Sequence, residues 1–108
     1  MKFGEKILVI IPAFNEEGSV GRVVEGAKTQ LPGMDALVVN DGSSDLTSEI
    51  AKAKGAIVFE LPFNLGIGGA MQAGYKYAYE NGYDTALQVH GGSEFYSDFE
   101  EECQRRKF

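Results

Sequence analysis

Four short polar segments of this 108-residue chain carry the residue types that chemistry needs. Residues 12–17 hold Pro12, Phe14, Asn15, Glu16 and Glu17, and residues 40–45 hold Asn40, Asp41, Gly42, Ser43, Ser44 and Asp45. Residues 64–69 hold Asn64, Gly66, Gly68 and Gly69, and residues 90–94 hold His90, Gly91, Gly92, Ser93 and Glu94. Asp41 can accept a hydrogen bond from a base N–H or a ribose hydroxyl, or it can simply form the turn ahead of a helix. Glu16 can receive a ribose or sugar-ring hydroxyl, or stand as a solvated carboxylate at a helix start. The segment with Asn64, Gly66 and Gly68 can lay backbone N–H groups against a phosphate at a helix terminus, or make a tight turn with small residues packed on a sheet. His90 can ligate a divalent transition metal, with Glu94 the nearby carboxylate, or can be a polar strand-end residue.

Each segment follows a short apolar run, and the runs alternate with helix-like stretches. Residues 7–11 are apolar without alternation, as in a strand buried on both faces, and Pro12 is expected to end it. A helical period follows at Val20, Val23, Val24 and Ala27, with Asn15 as its candidate cap. Residues 36–39 give a second strand. Asp45 or Ser44 can cap the next helix, which is expected to turn Leu46, Ile50 and Ala53 inward and to stop near Gly55. Residues 56–59 give a third strand. A helix from near Gly68 to Asn81–Gly82 places Ala70, Met71, Gly74 and Ala78 on one face, and residues 85–89 give a fourth strand. Ser97 and Glu100 have capping-box spacing, predicting a last helix with Arg105, Arg106 and Lys107 near its end. This β-α repetition predicts an α/β chain: a Rossmann-like three-layer α/β/α arrangement around a mainly parallel sheet of order 3-2-1-4. Residues 1–108 are expected to form one partial domain. In such a sheet the polar segments converge beyond the C-terminal ends of the strands.

Composition removes several alternatives. A formal net charge of −6 lacks the basic footprint of a general nucleic-acid binder, although it leaves room for one nucleotide. The single Cys103 excludes an intrachain disulfide, and no Cys/His cluster suggests zinc. No signal peptide and no run of roughly 20 apolar residues is present, so a cytoplasmic chain is expected, peripheral to the membrane at most in a longer parent. The glycine segment lacks the Gly-Lys-Ser/Thr ending of a P-loop, and no Gly-x-Gly-x-x-Gly follows the first strand.

With these segments in view, the chain resembles family 2 glycosyltransferases of the GT-A fold, in particular the dolichyl- or polyprenyl-phosphate sugar transferase branch. The resemblance runs from residues 7–17 through residues 38–45 and 64–70 to residues 83–89, an N-terminal half of the family's pattern. It implies that Pro12, Phe14 and Glu16 border base and ribose, that Asp41 is the carboxylate contacting the base, and that Asn64, Gly66 and Gly68 continue the nucleotide pocket. It also implies a nucleoside-diphosphate sugar donor, UDP- or GDP-linked, a polyprenyl phosphate acceptor, and a divalent cation such as Mg or Mn offsetting diphosphate charge. The family's Asp-x-Asp pair falls here on His90 and Gly92, and no catalytic residue is identified. Two other readings accompany this one: a non-catalytic structural or regulatory domain that forms a homo-oligomer, and a nucleotidyltransferase-like enzyme.

Overall fold

The computed structural model describes residues 6–89 and the backbone of residues 103–107. Its elements in chain order are β1 (Ile7–Ala13), α1 (Val20–Gln30), β2 (Asp35–Asn40), α2 (Thr47–Ala53), β3 (Ile57–Glu60), α3 (Gly66–Glu80), β4 (Thr85–Val89) and β5 (Cys103–Lys107). They form one sheet of order β3-β2-β1-β4-β5, with β1–β2, β1–β4 and β2–β3 parallel. The expected order 3-2-1-4 and the three-layer α/β/α arrangement therefore hold.

Alternation along the central strands divides the core between two faces. Ile7, Val9, Ile11 and Ala13 of β1, with Ala36 and Val38 of β2, pack against Val20, Val23, Val24 and Ala27 of α1 and Ala51 of α2. Leu8, Ile10, Leu37 and Val39 point the other way, against Ala70, Met71 and Ala78 of α3. The predicted face of α3 is the buried one. Gly74 lets this helix come close, since a Cβ there would lie 2.5 Å from Ile10 Cγ2.

Four local expectations need correction. Strand β1 continues through Pro12, which is in register with Val39. Ala13 turns its carbonyl to β2, accepting Asp41 N–H at 2.8 Å, so the missing N–H of Pro12 faces the opposite side. On that side the described β1–β4 register runs from Ile7–Thr85 to Ile10–Gln88, so Pro12 costs none of the described pairs. Asn15 does not cap α1; Ser19 occupies that position without a side-chain cap bond. In α2 the buried residues are Thr47, Ser48 and Ala51, while Leu46 and Ala53 are exposed. Finally, the helix expected to end at residues 105–107 is replaced there by β5, antiparallel to β4 with Val89 opposite Cys103 and Thr85 opposite Lys107. The edge of β4 offers these residues a ladder of backbone partners that their charge pattern does not reveal. Ser97 and Glu100 lie outside the described residues.

Candidate functional site

The C-terminal ends of β1, β2 and β3 open onto a cleft of about 430 Å3 lined by Pro12, Ala13, Phe14, Glu16, Asp41, Asn64, Gly66 and Ile67. Six of the seven residues singled out in the sequence for nucleotide contact thus share one wall system, drawn from three segments far apart in the chain. Gly68 is not among them. It sits exposed in the first turn of α3, which begins at Gly66, ahead of the expected start. His90 and Glu94 lie outside the described residues. Ala13 and Ile67 line the cleft without having been singled out. Ile67 was within reach of the sequence, since it separates two of the glycines already marked.

The segments after β1 and β2 are clasped together by side chains that close turns. Asn15 has a positive φ of 52°. Its N–H donates to Ser43 Oγ at 2.8 Å, and its Oδ1 accepts Ser44 N–H at 2.9 Å. Glu17 N–H donates to Asp45 Oδ2 at 3.2 Å while Glu17 Oε1 accepts Leu46 N–H at 3.1 Å. Thr47 is fully buried; its hydroxyl accepts Glu16 N–H at 2.9 Å and donates to Asp45 Oδ1. The Thr47 hydroxyl, with backbone N–H groups around the carboxylate, holds the Asp45 carboxyl below its ordinary 3.8. Asp45 also accepts the N–H of Thr47, the first residue of α2, but the cap expected of Asp45 or Ser44 is not formed: Leu46 occupies the N-cap position, without a side-chain cap bond. Glu16 is oriented from within its own segment, with Ser19 Oγ donating to Glu16 Oε1 at 2.7 Å. The roles of Ser19, Ser43 and Thr47 escaped sequence reasoning, although the Asp45-x-Thr47 spacing is that of a side-chain-closed turn.

The segment after β3 is held differently. Asp41 is only 4% exposed, and both of its carboxylate oxygens accept backbone N–H groups, from Leu65 at 2.7 Å and Gly66 at 3.0 Å. Asn64 Nδ2 donates back to the Asp41 carbonyl at 3.2 Å. Gly42 makes this approach possible. Its φ is 81°, and a Cβ there would stand 2.7 Å from Asn64 N and 2.9 Å from the Phe63 carbonyl carbon. Just behind, buried Asn40 donates to Ser48 Oγ and Glu60 Oε1 and accepts Ser43 N–H, tying β2, β3 and α2 into one base.

Chemically, the lining among the described residues offers two carboxylates, an amide, backbone and apolar surface, with no lysine or arginine. Phe14 and Ile67 are 46% and 59% exposed, so their apolar faces are open to an occupant. Among the described residues no group of three or more His, Cys, Asp or Glu could hold a metal ion.

The family model described as Glycosyl transferase family 2 matches residues 8–83. An uncharacterized protein of Methanocaldococcus jannaschii is 45% identical over 74 residues, covering 68% of this chain and 30% of that protein. An undecaprenyl-phosphate mannosyltransferase of Micrococcus luteus is 33% identical over 89 residues, covering 78% of this chain and 37% of that protein. Among solved structures, glucosyl-3-phosphoglycerate synthase from Mycobacterium tuberculosis, in complex with Mn2+, UDP and glucosyl-3-phosphoglycerate, superposes with a TM-score of 0.66 at 26% identity. That match covers 82% of this chain and 34% of the synthase. The chain thus spans about a third of the length of these relatives.

Proposed function

This chain belongs to glycosyl transferase family 2 and has the GT-A fold, and on that premise we propose that its cleft receives the nucleoside of a nucleoside-diphosphate sugar donor. One observation carries the reading: residues after β1, β2 and β3 meet in a single cleft whose lining suits a neutral nucleoside. Glu16, with one oxygen fixed by Ser19, offers an acceptor to ribose hydroxyls, and Asp41 offers acceptor capacity to a base N–H. Phe14 and Ile67 supply apolar contact for the base ring. Among the described residues the lining holds two carboxylates and no cationic side chain, which favours a nucleoside over a diphosphate beside them, and the proposed place of the diphosphate and sugar is beyond the cleft mouth. UDP is the first candidate, because the synthase above was crystallised with it. On this reading the whole protein is a hexosyltransferase. A polyprenyl phosphate is the proposed acceptor, in keeping with the name of the Micrococcus luteus relative. The proposed setting is the cytoplasmic side of a membrane, held peripherally; among the described residues no helix is long and apolar enough to cross one.

The test is calorimetric titration with UDP, GDP, uridine and inorganic pyrophosphate. UDP is expected to bind, uridine to compete for its site, and pyrophosphate not to displace it. Glu16→Gln should weaken UDP about tenfold or more, the worth of a charge-assisted hydrogen bond. Absence of binding by every nucleotide to folded protein, or displacement of UDP by pyrophosphate but not by uridine, would sink the proposal.

A further inference from the structure

The glycine segment suggests a phosphate cradle at the start of α3, yet two of the N–H groups that would form it are already engaged. Leu65 and Gly66, at the N-terminal cap and first position of a 15-residue helix, both donate to the Asp41 carboxylate. That carboxylate is buried, negative, and placed where a helix start favours an anion. Asn64 secures the same segment from the other side through the Asp41 carbonyl.

We propose that Asp41 is the built-in anion of the α3 N-terminus, a residue that fixes the wall formed by Asn64, Gly66 and Ile67 and so acts on a bound nucleotide through that wall as well as through its own contact with the base. The inference deepens the nucleoside reading above and rests on it for the nucleotide part alone. The anchoring of α3 by Asp41 stands on geometry within the chain. It follows that the Leu65 and Gly66 N–H groups do not receive the donor's diphosphate. It also follows that loss of binding on removing Asp41 has two sources, a missing contact and a released wall.

Chemical complementation separates them. In Asp41→Ala, amide exchange at Leu65 and Gly66 should run about 10- to 100-fold faster than in the native protein, the worth of hydrogen bonds to a charged acceptor. Formate, a free carboxylate, should slow both amides, raise the melting temperature and recover part of the UDP affinity, whereas chloride at equal ionic strength should not. Asp41→Asn, with one acceptor oxygen, should protect one of the two amides and leave the other fast, and this variant carries the test if Asp41→Ala does not fold. Native exchange rates in both variants, or a formate effect no greater than that of chloride, overturn the anchor. Recovery of amide protection without recovery of UDP affinity overturns the positioning role and leaves Asp41 a direct contact alone. If the native protein binds no nucleotide while formate still restores the amides, the anchor stands and the nucleoside reading falls.

Discussion

The two ends of the sheet both gather carboxylates, but only one end sets a carboxylate in the wall of a cleft. At the C-terminal end, Glu17, Asp41 and Asp45 are met by backbone N–H groups and a hydroxyl. At the N-terminal end, Tyr83 donates its phenol to Asp35 at 2.6 Å, and Asp84 accepts Lys6 N–H at 2.8 Å. The Lys6 ammonium lies 4.4 Å from the Tyr83 ring centroid and also donates to the Asn81 carbonyl. The second set of contacts joins Lys6, β2 and the segment entering β4 to one another. The first fixes loops with dipoles, and one of its acids, Asp41, lines the cleft. A set of acids that fastens segments together and a set that borders a cleft can therefore be told apart by what lies beside them, even where the residue types look alike.

The sharpest way to break the C-terminal end is Gly42→Ala. The methyl would meet backbone atoms of Phe63 and Asn64, and the residue would be held at a positive φ, so neither neighbour can yield cheaply. A loss of about 3 kcal/mol or more is expected in denaturant unfolding, together with loss of UDP binding. Thr47→Val comes next. It keeps the shape but leaves the half-buried Glu16 N–H without its acceptor, at a cost of about 1–2 kcal/mol. It also removes the main cause of the low Asp45 pKa. The native protein gains stability from Asp45 above its ordinary 3.8 and loses it as pH falls through the lower folded value. In Thr47→Val the Asp45 carboxyl should titrate closer to 3.8 by NMR, and Thr47→Ser should restore both properties.

The smallest effect is expected at the other end. Tyr83→Phe should cost about 1 kcal/mol and leave UDP affinity unchanged. Burial first, and then the bond to Asp35, push the Tyr83 phenol above its ordinary 10.0. The stability this supplies is complete below pH 10 and is lost as pH rises through the folded value, so the variant should lack that alkaline decline in thermal unfolding scans. A change in UDP affinity in Tyr83→Phe would erase the distinction between the two ends.

Much of this was legible in the residues themselves. The unbroken apolar run at residues 7–11 marked a central parallel strand, and the small face of Ala70, Met71, Gly74 and Ala78 marked the buried side of α3. Pro12, Phe14, Glu16, Asp41, Asn64 and Gly66 were drawn to one cleft by topology, because a doubly wound sheet brings its strand ends together wherever they lie in sequence. What escaped notice depends on three-dimensional partners. Pro12 looked like a terminator because nothing local shows that its ring nitrogen faces away from β2. Asn15 looked like a cap, since nothing local reveals that Ser43 and Ser44 would engage it instead. Leu46 and Ala53 fit an inward stripe until the clasp rotates Thr47 and Ser48 into the core. Residues 103–107 have helix-compatible charges, and only the neighbouring edge of β4 makes them a strand.

The place of β1 in the sheet also governs how the molecule comes to exist. Its parallel partners begin at Asp35 on one side and Thr85 on the other, so neither ladder is local. As a ribosome extends the chain at roughly 5–20 residues per second, β1 stays without its β4 partner for several seconds after β2 is made. Its five consecutive apolar residues are open to other chains throughout that interval. A central strand completed by a distant partner is thus a segment of the newborn chain that a chaperone can shield.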